Sequence, residues 1–216
     1  MQTVPEPLTV PWRASPREAV LDEVARDDVH TAVWCRRLPV AVADYARRLV
    51  DEDVSLRLHG EPLPDPEGRS FLDRMPAGPG RDAFAADVAW SMRRYARVQA
   101  GRAFRAEVAA VKTDKCRRFH VDHYRLRWVC SYAGPGTEWL EDRDVVAEVL
   151  RDGPKGHQAF NRALLRCPER LRRLGPGDVL LMKGRGFPGP GFGGPLHRSP
   201  PVEATGLRRL VLTMTS

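Results

Sequence analysis

Lysine is scarce in this chain, and the sequence also lacks the patterns that mark several common classes of protein. Only four of its 35 basic residues are Lys, and the other 31 are Arg. The 216-residue chain carries a formal charge of +7, so a nucleic-acid partner has to be considered. The Arg residues are spread among Asp and Glu, however, and no basic block with interleaved aromatic side chains occurs. This pattern argues against nucleic-acid binding.

Signals for membrane insertion, secretion and zinc ribbons are absent as well. No apolar run approaches the roughly 18 residues of a membrane span, and residues 1–12 lack the basic and apolar regions of a signal peptide. There is no G-x-S-x-G nucleophile motif and no P-loop. No C-x-x-C pair occurs, because the four cysteines stand far apart at Cys35, Cys116, Cys130 and Cys167. These absences predict a cytoplasmic protein with free thiols and no membrane association.

The periodicity of the apolar residues changes near residue 101, and this change predicts two parts within one structural domain. Residues 1–101 carry mostly helical patterns, of which the strongest covers 82–99. Residues 102–216 alternate apolar and polar side chains in short strands, with a charged helical insertion near 141–175. The sequence therefore predicts an α+β fold, in which an N-terminal helical block packs on a β-barrel or jelly roll.

Candidate functional residues are concentrated between Cys116 and Leu140, where His120, Val121 and Asp122 form an H-x-D triplet. An alternating strand pattern and a Gly-Pro-Gly turn follow the triplet. Residues two apart on a strand project to the same face, so His120 and Asp122 should point together. Two imidazoles and one carboxylate form the facial triad that suits Fe(II) with open coordination positions. Zn²⁺ and Mn²⁺ accept the same ligands, so the residue types leave the metal open.

A third ligand has to come from a distant part of the chain, and His197 is the candidate. It lies 75 residues after Asp122, and Arg209 follows 12 residues later in an apolar closing strand. The stretch before His197 consists of a buried strand pattern over 177–184 and a glycine- and proline-rich loop over 184–195. That loop is interpreted either as a lid over the site or as a plain connector.

The order of these motifs resembles that of the Fe(II)/2-oxoglutarate-dependent dioxygenases. H-x-D, G-P-G-T, G-D-V-L-L-M-K-G, H-x-x-P-P-V and R-x-V-L-T follow one another along the chain. The resemblance implies a double-stranded β-helix, a cupin-like jelly roll, in which His120, Asp122 and His197 bind Fe(II). It also implies that Arg209 anchors the distal carboxylate of 2-oxoglutarate, since a guanidinium binds a carboxylate through two hydrogen bonds. Arg208 is the alternative anchor.

The same resemblance implies a second contact to 2-oxoglutarate from a Tyr, Asn or Arg on an inner strand. Tyr124 is the chosen candidate, and Arg125, Arg127 and Tyr132 remain open as alternatives. The leading hypothesis is therefore an oxygenase that hydroxylates or demethylates an unknown small-molecule or protein substrate.

Over most of its length the chain is also similar to an uncharacterised bacterial family, domain of unknown function 1826. The similarity is sharpest between Cys116 and Thr213. That family is associated with zinc-homeostasis genes, which implies an alternative role as a non-enzymatic zinc-binding protein of the same fold.

Overall fold

Helices cover one face of a large β-sheet, and a small sheet covers part of the other face. The computed structural model describes residues 12–58, 73–114, 116–188 and 194–216, so the centre of the predicted 184–195 loop lies outside the described residues. The strands are β1 (Trp12–Ser15), β2 (Thr31–Trp34), β3 (Ser55–Leu58), β4 (Arg105–Val111), β5 (Leu126–Ala133), β6 (Glu138–Trp139), β7 (Arg172–Arg173), β8 (Val179–Lys183), β9 (His197–Arg198) and β10 (Arg209–Thr215). The α-helices are α1 (Val40–Asp51), α2 (Arg81–Val98), α3 (Ala147–Asp152) and α4 (His157–Leu164), and short 3-10 helices cover Glu18–Ala25, Asp142–Asp144, Pro168–Arg170 and Glu203–Thr205.

The strands of the second half pass back and forth between the two sheets. The large sheet has the order β1-β2-β8-β5-β10-β4-β3, and the small sheet has the order β7-β6-β9. Only β1 and β2 run parallel, and the other pairs are antiparallel. Between β4 and β5, His120 forms a single bridge with His197 of β9 and so extends the small sheet. The described residues therefore form a mixed fold of helices and strands around a large sheet.

Each face of the large sheet has its own buried core, because side chains alternate between the two faces of a strand. Helices α1 and α2 pack on one face in a cluster that includes Leu49, Phe84, Tyr95, Trp128 and Leu212. The small sheet packs on the other face in a cluster that includes Val129, Trp139, Leu174, Leu180 and Val211. The open part of this second face, toward β4 and β3, holds the cavities described below.

The predicted N-terminal helical block is not confirmed, because the first hundred residues also contribute strands. Strands β1, β2 and β3 join the large sheet, where β2 pairs with β8 and β3 pairs with β4. They pair with strand edges that would otherwise present unpaired backbone groups. The strong helix predicted over 82–99 is confirmed as α2. None of the helices in the described part of the chain is long and apolar enough to cross a membrane.

A buried ion pair ties the helical layer to the strands beneath it. Arg36, which follows β2, donates two hydrogen bonds of 2.6 and 2.8 Å to Asp87 of α2. Tyr132 of β5 donates a third bond of 2.5 Å to the same carboxylate, and Arg36 Nε donates to the carbonyl of Gly177 just before β8. The Arg36 and Asp87 side chains are only 10% and 16% exposed. One charged pair therefore connects α2, β5 and the ends of β2 and β8.

Replacing Asp87 by Ala should leave the Arg36 guanidinium buried without its partner. We expect the free energy of unfolding to fall by about 3–5 kcal/mol, as for other buried pairs that lose one member, and urea unfolding would measure the change. The matched control is Asp44→Ala in α1, whose carboxylate pairs with Arg47 at the surface and should contribute at most about 1 kcal/mol. Equal losses in the two variants would contradict the structural role of the buried pair.

Candidate metal centre

A two-residue backbone pairing places two imidazole rings side by side. The His120 N–H donates to the His197 carbonyl at 3.1 Å, and the His197 N–H donates to the His120 carbonyl at 3.0 Å. Side chains of directly opposite residues in an antiparallel pair project to the same face. The ring centroids accordingly lie 4.5 Å apart.

Asp122 reaches the two rings from a bend rather than from a strand. Its Oδ1 lies 3.6 Å from His120 Nε2, and its Oδ2 lies 3.3 Å from His197 Nε2. One candidate ligand atom from each of the three residues lies within 4.8 Å of the others. The prediction that His120 and Asp122 lie together on a strand is wrong, since β5 begins only at Leu126. The three predicted ligands nevertheless come together.

The bend that carries Asp122 is held by the chain that follows β8. The Arg185 N–H donates to the Asp122 carbonyl at 2.9 Å, and the Gly186 N–H donates to the Tyr124 carbonyl at 3.3 Å. A Cβ atom at Gly184 would stand 2.1 Å from the Tyr124 carbonyl oxygen. The absence of a side chain at Gly184 therefore lets two backbone segments approach closely enough to fix the direction of the Asp122 carboxylate.

Both imidazoles turn their Nε2 atoms toward Asp122. His120 Nδ1 lies 2.9 Å from the Arg118 carbonyl, and His197 Nδ1 lies 3.0 Å from the Pro195 carbonyl. Carbonyls only accept hydrogen bonds, so each Nδ1 carries a hydrogen and each neutral ring keeps its lone pair on Nε2. His197 Nε2 is buried and has no aligned hydrogen bond, although Asp122 is within ion-pair distance. Two such lone pairs and a carboxylate match the donor set of a divalent metal.

The Asp122 carboxylate is ionised and partly neutralised by an arginine. Arg127 NH1 donates to both of its oxygens, at 2.9 and 3.1 Å. Burial opposes ionisation, but His120, His197 and Arg127 outweigh it and hold the pKa of Asp122 well below its usual range. The same carboxylate, with a smaller contribution from Cys116, raises the pKa of His120 to about 10.

Arg209 lies in the same cavity as the two imidazoles, and Arg208 does not. The cavity has a volume of about 380 Å³, and Arg209 lines it together with Val211 and Thr213 on one face of β10. Alternation along the strand turns Arg208 to the other side, where it is exposed and donates to the Val50 carbonyl. Of the two arginines that the sequence left open as the anchor, only Arg209 faces this cavity. We call it the metal cavity because the imidazoles of His120 and His197 line it.

The Arg209 guanidinium has no anionic partner among the described residues. Its NH2 lies 3.4 Å from Thr137 Oγ1, and its Nε and NH1 are buried without a hydrogen bond. Burial first, and repulsion from Arg127 second, lower the pKa of Arg209 to about 10. A buried cation of this kind is costly unless an anion accompanies it, so the position of Arg209 beside the candidate metal ligands favours the binding of an anion there.

Among the candidates for a second co-substrate contact, Arg127 is the residue that lines the metal cavity. Tyr124, the chosen candidate, lies in the bend before β5, is 44% exposed and lines a neighbouring cavity instead. Tyr132 is turned to the helical face by its bond to Asp87, and Arg125 lies over the Phe187 ring. Alternation along β5 could have identified Arg127, because this residue shares a strand face with Val129, which lines the same cavity.

The chain belongs to a protein family of unknown function, DUF1826, which it matches over residues 15–215. No match is found among curated proteins.

Similar solved structures include a prolyl-4-hydroxylase from Pseudomonas putida, with 14% identity, coverage of 91% of this chain and 96% of the other, and a TM-score of 0.42. Dioxygenase for auxin oxidation 1 from Arabidopsis thaliana, in complex with 2-oxoglutarate, has 11% identity, coverage of 95% and 91%, and a TM-score of 0.45. AviO1 from Streptomyces viridochromogenes Tue57 has 14% identity, coverage of 93% and 94%, and a TM-score of 0.41.

Metal binding at this centre should weaken as the pH falls, because a metal must displace the proton that Asp122 stabilises on His120. The pKa of His120 in the metal-free protein is raised to about 10, so one proton is bound throughout the range from pH 6 to pH 8. Affinity for Mn²⁺ should then rise about tenfold per pH unit in this range. Titration with Mn²⁺ at each pH, followed by electron paramagnetic resonance, measures this affinity. The His120→Ala variant should lose tight Mn²⁺ binding. A pH-independent affinity would contradict the assignment of His120 as a ligand.

Proposed function

We propose that the protein is an Fe(II)/2-oxoglutarate-dependent oxygenase. The observation that carries this proposal is the buried Arg209 guanidinium, whose unpartnered N–H groups share one cavity with His120 and His197, the two imidazoles that lie against Asp122. A 2-oxo acid with a distal carboxylate has one end that can chelate a metal and another that a guanidinium can bind through two hydrogen bonds. 2-Oxoglutarate therefore matches both halves of the cavity.

The course of the chain supports the same proposal. Strands β4, β5, β8 and β10 lie together in the large sheet, while the His120 segment, β6, β7 and β9 lie in the small sheet. Each turn of the chain thus adds to both sheets, as it does in the double-stranded β-helix that the motif resemblance implies. In this fold the proposed ligands and Arg209 would lie between the two sheets.

In this proposal His120, Asp122 and His197 hold Fe(II) and leave coordination positions open. Iron and 2-oxoglutarate, when bound, supply the chemistry of O₂ activation. The carbonyls of Arg118 and Pro195 keep both Nε2 atoms directed at the metal position. Arg209 orients the co-substrate by its distal carboxylate, and Arg127 holds Asp122 ionised and in place.

The remaining walls of the cavity would separate the reacting centre from bulk water. Val129 and Val211 belong to the apolar cluster between the sheets and also line the metal cavity. Exclusion of water strengthens the electrostatic contacts inside such a site. The reaction would be hydroxylation or demethylation of a small-molecule or protein substrate.

A non-enzymatic zinc-binding role is less well supported. It would use the same three ligands, and Cys116, which lines the cavity, offers a thiol that suits Zn²⁺. That role provides no anion to pair with the buried Arg209 guanidinium. The oxygenase uses both the ligand set and the guanidinium.

The oxygenase proposal predicts that Arg209 is needed for 2-oxoglutarate and not for the metal. Under anaerobic conditions, Fe(II) and 2-oxoglutarate together should give a visible charge-transfer band. Arg209→Gln should weaken 2-oxoglutarate binding by about tenfold to a hundredfold, the worth of charge-assisted hydrogen bonds, while Fe(II) affinity stays within about twofold. Titration of the band with 2-oxoglutarate measures the first quantity, and metal titration measures the second.

Arg208→Gln is the matched control, because it removes the neighbouring guanidinium at the surface and should behave like the unmodified protein. The proposal fails if the unmodified protein gives no band and forms no succinate under air. It also fails if Arg209→Gln binds 2-oxoglutarate normally. Tight Zn²⁺ binding that is indifferent to 2-oxoglutarate would favour the alternative role.

A further inference from the structure

A second cavity, of about 330 Å³, opens beside the metal cavity on the same face of the large sheet. Arg57, Glu107, Arg127 and Thr213 line both cavities, so the two are adjacent. The second cavity is otherwise polar at its rim, where its lining includes Arg105, Tyr124 and Thr215. None of these three side chains has a role in holding the metal or the co-substrate in the proposal above.

The strand register fixes how this cavity lies relative to the metal ligands. Thr215 of β10 pairs with Arg105 of β4 on one side and with Arg127 of β5 on the other. Neighbouring strands lie about 4.8 Å apart, so the backbones of Arg105 and Arg127 are separated by about 10 Å. Arg127 itself contacts Asp122. A group bound at Arg105 would therefore lie within the length of a small molecule from the metal position.

The charges of this cavity do not balance. Arg57 donates to Glu107 at 2.6 Å, and Arg127 is bound to Asp122, so these two cations have partners. Arg105 is exposed and has no hydrogen bond or ion pair in the described part of the chain. One unpaired guanidinium therefore remains at the rim of the cavity.

Hydroxyl groups accompany this guanidinium. Thr213, Thr215 and Tyr124 line the same cavity, and their hydroxyl groups have no hydrogen-bond partner among the described residues. A guanidinium with nearby hydroxyl donors is the chemistry that binds the oxygens of a carboxylate or phosphate.

We propose that this second cavity is the substrate subsite, and that it binds the carboxylate or phosphate group of a small-molecule substrate through Arg105. The inference rests on the proposed oxygenase function and adds the class of substrate. The cavity has the size of a small-molecule site. Its connection through Arg127 would place the rest of the bound molecule toward the metal.

The test uses the full chain loaded with Mn²⁺ and saturating 2-oxoglutarate, which keeps small anions away from Arg209. Acetate, methylphosphonate and acetamide each carry one methyl group and serve as probes of carboxylate, phosphate-like and neutral chemistry. Mn²⁺ is paramagnetic, so a methyl group that binds near it shows faster proton relaxation in NMR. The 2-oxoglutarate methylene protons provide an internal check on the metal and co-substrate.

We expect faster methyl relaxation for acetate, methylphosphonate or both, and none for acetamide. The anion that responds identifies the group that the substrate carries. Arg105→Gln should reduce the enhancement by at least about tenfold, as the loss of a charge-assisted contact does. The exposed Arg102→Gln, three residues earlier in the chain, should leave the enhancement unchanged.

Two results would overturn the inference. The first is that neither acetate nor methylphosphonate shows faster methyl relaxation. The second is that the Arg105→Gln variant shows the same enhancement as the unmodified protein, which would indicate that the probe binds directly to the metal. If the 2-oxoglutarate methylene protons relax faster and the anions do not, this inference fails and the oxygenase proposal stands. If 2-oxoglutarate itself shows no effect, the oxygenase proposal fails and this inference falls with it.

Discussion

The reciprocal backbone hydrogen bonds between His120 and His197 are the constraint on which the candidate site depends. They join two segments that lie 77 residues apart in the chain and fix which residues stand opposite each other. A slip by one residue would turn one imidazole to the opposite face. With the register fixed, both Nε2 atoms face one point, and Asp122 needs only a short bend to reach it. The geometry of the site is thus set mainly by backbone pairing.

The two faces of the large sheet use arginine in opposite ways. On the helical face, Arg36 is matched by Asp87 and Tyr132, and the cluster contributes to the stability of the fold. On the other face, Arg209 is buried without a carboxylate among the described residues. An unmatched buried cation costs several kcal/mol, and the bound anion would offset that cost. Burial without a carboxylate partner therefore distinguishes Arg209 from the many arginines of this chain that form surface pairs.

Motif order and local periodicity indicated which residues the structure brings together, but they did not indicate how those residues meet. Alternation along β10 separated Arg209 from Arg208, and helical spacing located α2. The bend at Asp122 depends on contacts with the chain after β8. Those contacts join residues about 60 positions apart, and no local pattern records them. For the same reason the first hundred residues alone could not predict that β2 pairs with β8 and β3 with β4, since the partner strands lie in other parts of the sequence.

The segment that follows β8 connects these observations, because its start lies against the Asp122 bend and its end leads into His197. A Cβ at Gly184 would stand 2.1 Å from the Tyr124 carbonyl oxygen, and a Cβ at Gly194 would stand 1.7 Å from the Lys183 carbonyl oxygen. Both ends of the 184–195 segment therefore approach neighbouring backbone at positions where only glycine fits. The sequence predicts either a lid or a connector over 184–195, and the described ends of this segment pack against neighbouring backbone. Gly184 lies against the segment that carries Asp122, and Gly194 lies shortly before His197, so these two glycines constrain the chain next to two of the candidate ligands.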